Sequence, residues 1–145
     1  MPSVAHLFRA PKRSVPMEEL SVAEAVAHRG FSTCAHARPG GGKRQLLLVD
    51  KETLDAVELD PGAIRENITT MGLNVNGLAS GERLRVGTAL LEVSAVCTPC
   101  SLLETIRPGL RRELYGRRGM LCRVIEGGII RTGDPIVRLA RPSSA

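Results

Sequence analysis

The apolar residues of this chain come in runs no longer than one short strand, and glycine, proline or asparagine separates many of them. The longest unbroken run is Leu46–Val49. A chain punctuated this often cannot build long helices. It can build many short strands joined by tight turns, because glycine supplies the positive φ values such turns require. The class this predicts is mostly β with short helices, arranged as a largely antiparallel sheet that curls or closes into a partial barrel.

Along the chain, Val4–Arg9 reads as an edge or barrel strand. The prolines of Ala10-Pro11-Lys12-Arg13-Ser14-Val15-Pro16 then force a non-helical connection. Ser21 with Glu24 three residues later has the form of a capping box, with Leu20 as staple, and predicts a helix from Val22 to about Arg29 ended by Gly30. The segment Ala37-Arg38-Pro39-Gly40-Gly41-Gly42-Lys43 is too rich in glycine for regular structure. Gln45–Val49 has the length of a buried strand, and Asp50 can cap a helical stretch through Val57. After the turn Asp60-Pro61-Gly62, Ala63–Thr70 is expected to be a strand. Leu84–Val86 and Ala89–Val93 form a hairpin about Gly87-Thr88, and a helical stretch from Ser101 to about Tyr115 breaks at Pro108-Gly109. Short strands close the chain around Leu121–Ile125, Ile129-Ile130 and Ile136–Leu139, with hairpin signals at Gly127-Gly128 and Gly133-Asp134-Pro135.

The length of 145 residues suits one domain spanning 1–145 that buries its core without disulfides. Aromatic residues are 2% of the chain, so the core must be aliphatic and a base-stacking nucleic-acid platform is disfavoured. The net charge of +5 comes from dispersed arginines, which suit a basic surface or a site for a small anion. No nucleic-acid module, membrane span or secretory leader is legible. Four cysteines without a secretory signature predict reduced thiols and a cytoplasmic protein.

Cys97 and Cys100 form a C-x-x-C with three readings. One is half a zinc site, which Cys34 and His36 would have to complete at an unusual spacing. Another is a thioredoxin-like redox pair, whose α/β setting the strand-rich pattern does not supply. The third is a pair in which only Cys100 matters. That residue follows Pro99 and precedes the helical Ser101-Leu102-Leu103-Glu104, where the positive end of a helix favours a thiolate. A thiolate attacks, carries sulfur or binds a soft metal. Cys97 at a strand end, and Cys122 between Leu121 and Val124, are expected in the core.

Taken in order, several segments resemble the MOSC domain, the module named after the C-terminal part of molybdenum cofactor sulfurases. The basic turn Pro11–Met17 resembles the family's N-terminal turn, and Pro61-Gly62-Ala63-Ile64-Arg65-Glu66-Asn67-Ile68 its G-x-x-R-x-N-I segment. Asn76-Gly77-Leu78 through Gly87, the cysteine loop, Gly119-Met120 and Gly128–Ile136 match the segments that follow. Where many relatives carry G-[IL]-x-G-D-x-H, this chain has Gly30-Phe31-Ser32-Thr33-Cys34-Ala35-His36.

The resemblance implies a β-barrel-like fold with Cys100 as catalytic residue and metal ligand to molybdenum held by molybdopterin. It implies cofactor-binding roles for Arg65 and Asn67, for Lys12, Arg13 and Ser14 near a phosphate, for Thr98 beside the metal ligand, and for His36. Amidoxime-reducing relatives point to reduction of N-hydroxylated compounds with electrons from a separate reductase, since this chain has no flavin, haem or iron–sulfur motif. Sulfurase relatives point instead to a persulfide carrier served by a cysteine desulfurase. The family's association with pyridoxal phosphate belongs to a transferase domain that this sequence lacks. A zinc- or anion-binding domain without catalytic activity is the third class.

Overall fold

A computed structural model describes residues 2–12, 16–32 and 45–139. Its frame is an eight-stranded sheet ordered β11-β7-β8-β9-β5-β6-β1-β2 with a three-stranded sheet, β10-β3-β4, beside it. The strands are β1 (Ser3–Arg9), β2 (Glu18–Leu20), β3 (Val22–Val26), β4 (Gly30–Phe31), β5 (Leu46–Asp50), β6 (Ile68–Met71), β7 (Arg83–Val86), β8 (Ala89–Val96), β9 (Met120–Glu126), β10 (Gly128–Arg131) and β11 (Ile136–Leu139). Among the described residues, three short helices, α1 (Lys51–Ala56), α2 (Leu102–Ile106) and α3 (Leu110–Glu113), complete the frame, with one 3₁₀ turn at Val75–Gly77. All strand pairs are antiparallel except β5 with β6.

The Leu46–Val49 run explains why the sheet has two apolar faces. Successive side chains on a strand point to opposite sides. Leu46 and Leu48 therefore enter the core between the sheets with Leu7, Ile68, Leu91, Cys122 and Ile130. Leu47 and Val49 enter a second core under the helices with Leu54, Ile64, Cys97, Leu103, Leu110 and Leu114. Each such side chain contributes about 1.5–3 kcal/mol by leaving water. Asp50 caps α1 as predicted, its carboxylate accepting from the Thr53 N–H at 3.2 Å.

The large sheet is partly closed. β11 lies at one edge, yet the turn leading into it bonds to the start of β1 near the other edge. Val4 N–H donates to Asp134 O at 2.9 Å, Gly133 N–H to Val4 O at 2.8 Å and Ile136 N–H to Pro2 O at 2.9 Å. β1 is thus an interior strand, with β2 outside it.

Three sequence expectations are corrected. The segment predicted as a helix from Val22 is the strand β3 followed by a turn, because Ala23 and Ala25 alternate into the core while Val22 and Glu24 face out, and β10 pairs with residues 22–25 of the strand. The strand predicted over Ala63–Thr70 begins only at Ile68, since residues 61–64 form a turn and Arg65 after it adopts φ 65°. Gly127-Gly128 and Gly133-Asp134-Pro135 do not join hairpins. They carry the chain between sheets, β10 pairing with β3 and β11 with β7.

Candidate functional site

Cys100 lies in the loop between β8 and α2. Backbone pairing ends at Cys97, whose N–H donates to Gly119 O at 3.0 Å. Cys97 is 6% exposed and packs in the second core, as its strand-end position predicts. Pro99 then holds φ near −65°, and the chain emerges with Thr98 and Cys100 exposed. Cys100 O accepts from Leu103 N–H at 3.1 Å, which ties the loop to the first turn of α2. The helix has five residues, and Ser101 gives it no side-chain cap. Of the three described cysteines, Cys100 alone is exposed. Cys122 is buried, and desolvation pushes its thiol up to about 12.

Below the loop, Gly119 fixes the start of β9. It adopts φ 113°, and a Cβ there would collide with Leu48 O and Val49. Asn76 clamps its peptide from the 3₁₀ turn, accepting from Gly119 N–H at 3.1 Å and donating to Gly119 O at 3.4 Å. The same carbonyl therefore receives the Cys97 N–H and the Asn76 amide, and the loop's root is held from two sides.

Arg65 is half-buried in its left-handed conformation, which for a non-glycine residue costs about 1–3 kcal/mol and persists only where the surroundings impose it. Those surroundings are visible. Glu66 is fully buried, and its Oε2 accepts from Gly62 N–H and Thr69 Oγ1, both at 2.8 Å. Asn67 is buried and occupied with backbone, accepting from Leu47 N–H at 3.0 Å and donating to Phe8 O at 3.3 Å. Its visible work is to join β1 and β5 at the start of β6.

Arg118 belongs to one of the denser basic spots of the sequence, yet nothing there marks it as buried, and it links the two predicted segments. It is 5% exposed, and its Nη2 donates to Ile64 O at 2.9 Å, while the next residue, Gly119, bonds to the cysteine loop. Nothing local in Arg117-Arg118-Gly119 distinguishes the buried arginine from its exposed neighbour, because its burial depends on the turn 54 residues away in sequence. Lys12 is exposed at the bend after β1. Arg13, Ser14 and His36, like Cys34 and the glycine-rich segment, lie outside the described residues.

On the helical side, Glu104 accepts from Arg111 N–H at 3.0 Å and Gly109 N–H at 3.1 Å, which hold its carboxyl below the usual range and lock α2 against α3. A shallow surface concavity there, lined by Glu104, Gly109, Arg111, Arg112 and Tyr115, contains none of the predicted site residues. Among the described residues no three His, Cys, Asp or Glu side chains stand together as a metal-binding group.

The profile of the MOSC domain matches residues 35–137, most of the chain and all of the cysteine loop. The chain belongs to the MOSC family. Solved structures share the MOSC fold at low identity. YiiM from Geobacillus stearothermophilus superimposes with a TM-score of 0.81 at 21% identity, covering 97% of this chain and 76% of that one. The YuaD protein from Bacillus subtilis gives 0.80 at 19%, with 94% of each chain covered. YiiM from Escherichia coli gives 0.70 at 19%, covering 96% and 71%. No curated protein matches the sequence. No described helix is long and apolar enough to cross a membrane.

Proposed function

We propose that this MOSC domain binds molybdenum with molybdopterin through Cys100 and supports the reduction of N-hydroxylated compounds, with electrons from a separate reductase. The observation that carries this reading is the exposure of Cys100 on a rigidly rooted loop while Cys97 and Cys122 are buried. The donor set fits the group. A thiolate is the soft ligand that such a metal takes, and an exposed one leaves room for ligands from elsewhere.

When bound, the cofactor supplies two-electron redox chemistry at the metal. The reaction takes two electrons and two protons and converts N–OH to N–H with release of water. The chain's own part is to hold and orient. Pro99 and the Cys97–Gly119 hydrogen bond fix where the Cys100 sulfur stands. Arg65, held in the left-handed region by the anchored Glu66 and Asn67, and Lys12 at the β1 bend contribute positive charge toward an anionic cofactor, with Arg13, Ser14 and His36 as further ligands. Thr98 flanks Cys100 and offers a hydroxyl.

The same exposed thiol supports a second reading, a carrier holding a persulfide on Cys100 that a cysteine desulfurase supplies. One experiment separates the two. Protein from a host that makes molybdenum cofactor is assayed for reduction of an aromatic amidoxime with a chemical electron donor, and the intact mass is recorded. The proposal predicts turnover that Cys100→Ser removes and Cys97→Ser largely keeps, the latter costing about 1–2 kcal/mol of stability. No turnover together with a one-sulfur mass increase, lost in Cys100→Ser, would favour the carrier.

A further inference from the structure

We infer that Arg118 is an oxyanion-binding residue, taking a phosphate-class group beside the cysteine loop. The inference stands on Arg118 itself and goes beyond the cofactor reading, which does not use this residue.

The guanidinium is nearly closed to solvent, and its one hydrogen bond runs from Nη2 to Ile64 O. Nε and Nη1 are buried without an acceptor. No ion pair reaches Arg118 among the described residues. The buried Glu66 is engaged through Oε2 with Gly62 and Thr69, and no ion pair joins it to Arg118. A lysine in this position could escape the cost by losing its proton. Arginine cannot, because its charge persists at any pH a protein survives. A buried, uncompensated guanidinium destabilises the chain that carries it. Its presence is accounted for if an anion from outside completes it.

The position favours an oxyanion. Planar N–H donors match phosphate and carboxylate oxygens better than any neutral acceptor. Ile64 O is the only acceptor that the guanidinium meets among the described residues, so Nε and Nη1 keep their N–H groups available to an anion. Gly119, the next residue, takes the Cys97 N–H on its carbonyl, so the backbone that carries Arg118 adjoins the root of the Cys100 loop.

Thermal unfolding of the whole chain in phosphate-free buffer, then with inorganic phosphate or glycerol 3-phosphate, tests this. An anion that binds only the folded state raises Tm by about 3–6 °C at ten times its Kd. Wild type should show that shift, and Arg118→Met should lose it while melting higher than wild type without ligand. Arg118→Lys, which keeps the charge and loses the planar donors, should need at least about tenfold more ligand. Arg112→Met, at an exposed arginine, should keep the full shift. A shift with the ester at lower concentration than with phosphate identifies an organic phosphate as the source. Absence of any shift in wild type, or a full shift in Arg118→Met, overturns the inference; if Arg118→Met does not fold, a full shift in Arg118→Lys does so. A shift in a protein that comes without pterin from a host that makes molybdenum cofactor keeps the Arg118 site and removes the cofactor reading instead.

Discussion

Burial sorts the described thiols into roles. Cys122 shows how much environment a side chain can feel. Its Sγ is in the first core, and desolvation alone lifts the thiol from 9.0 to about 12. A group whose folded pKa is raised keeps its full contribution below the unfolded pKa and loses it as pH climbs to the folded one. Stability should therefore be insensitive to this thiol up to about pH 9 and fall by about 1.4 kcal/mol per pH unit from there toward 12. Denaturant unfolding of wild type and Cys122→Ala checks this, since the difference between them should shrink over that window. A constant difference would mean that the thiol ionises as easily in the fold as out of it. The placement of Cys97, Cys100 and Cys122 was legible because flanking residues decide it: a strand end, a proline before a helix, a pair of aliphatic neighbours. Arg118 was not, because its burial depends on Ile64 across the fold and leaves no trace in local sequence. Asn67 was picked out, yet what its side chain visibly does is bind the backbone of β1 and β5.

At the scale of elements, turn chemistry was easier to read than pairing. Asp50 capping α1, Gly87-Thr88 joining β7 to β8 and the break between α2 and α3 all follow from residues within a few positions of each other. The segment Ser21–Arg29 shows the limit. Its capping-box residues and alanines satisfy local helix rules, but β10 offers residues 22–25 a ladder, and as a strand Ala23 and Ala25 are buried. Tertiary pairing overrode propensity there. Gly127 and Gly133 misled in the same way, because a glycine turn specifies a bend and not which strand will be the partner. Gly119 has a role that can be measured. Its positive φ and the absence of space for a Cβ against Leu48 O predict that Gly119→Ala costs at least about 3 kcal/mol in denaturant unfolding. A loss below 1 kcal/mol, on the order of an ordinary surface change, would mean that the loop's root is not fixed there.

For the whole molecule, the alternation and turn spacing pointed to a mostly β chain that partly closes, and the closure is made by backbone bonds between residues 2–4 and 133–136. That closure could not be read in advance, since it joins the two ends of the chain through main-chain groups that every residue shares. What closure achieves is a rigid frame with one apolar core inside and a second beneath the helices, and the Cys100 loop rises from the rim of that second core. The frame belongs to the MOSC family, and the claim built on it is that Cys100 holds molybdenum. The direct measurement is the molybdenum and pterin content of wild type and Cys100→Ser, both purified from a host that makes the cofactor. The account predicts molybdenum and pterin approaching one per chain in wild type, with molybdenum lost in the variant. Wild type that carries zinc, or neither metal nor pterin, would contradict it.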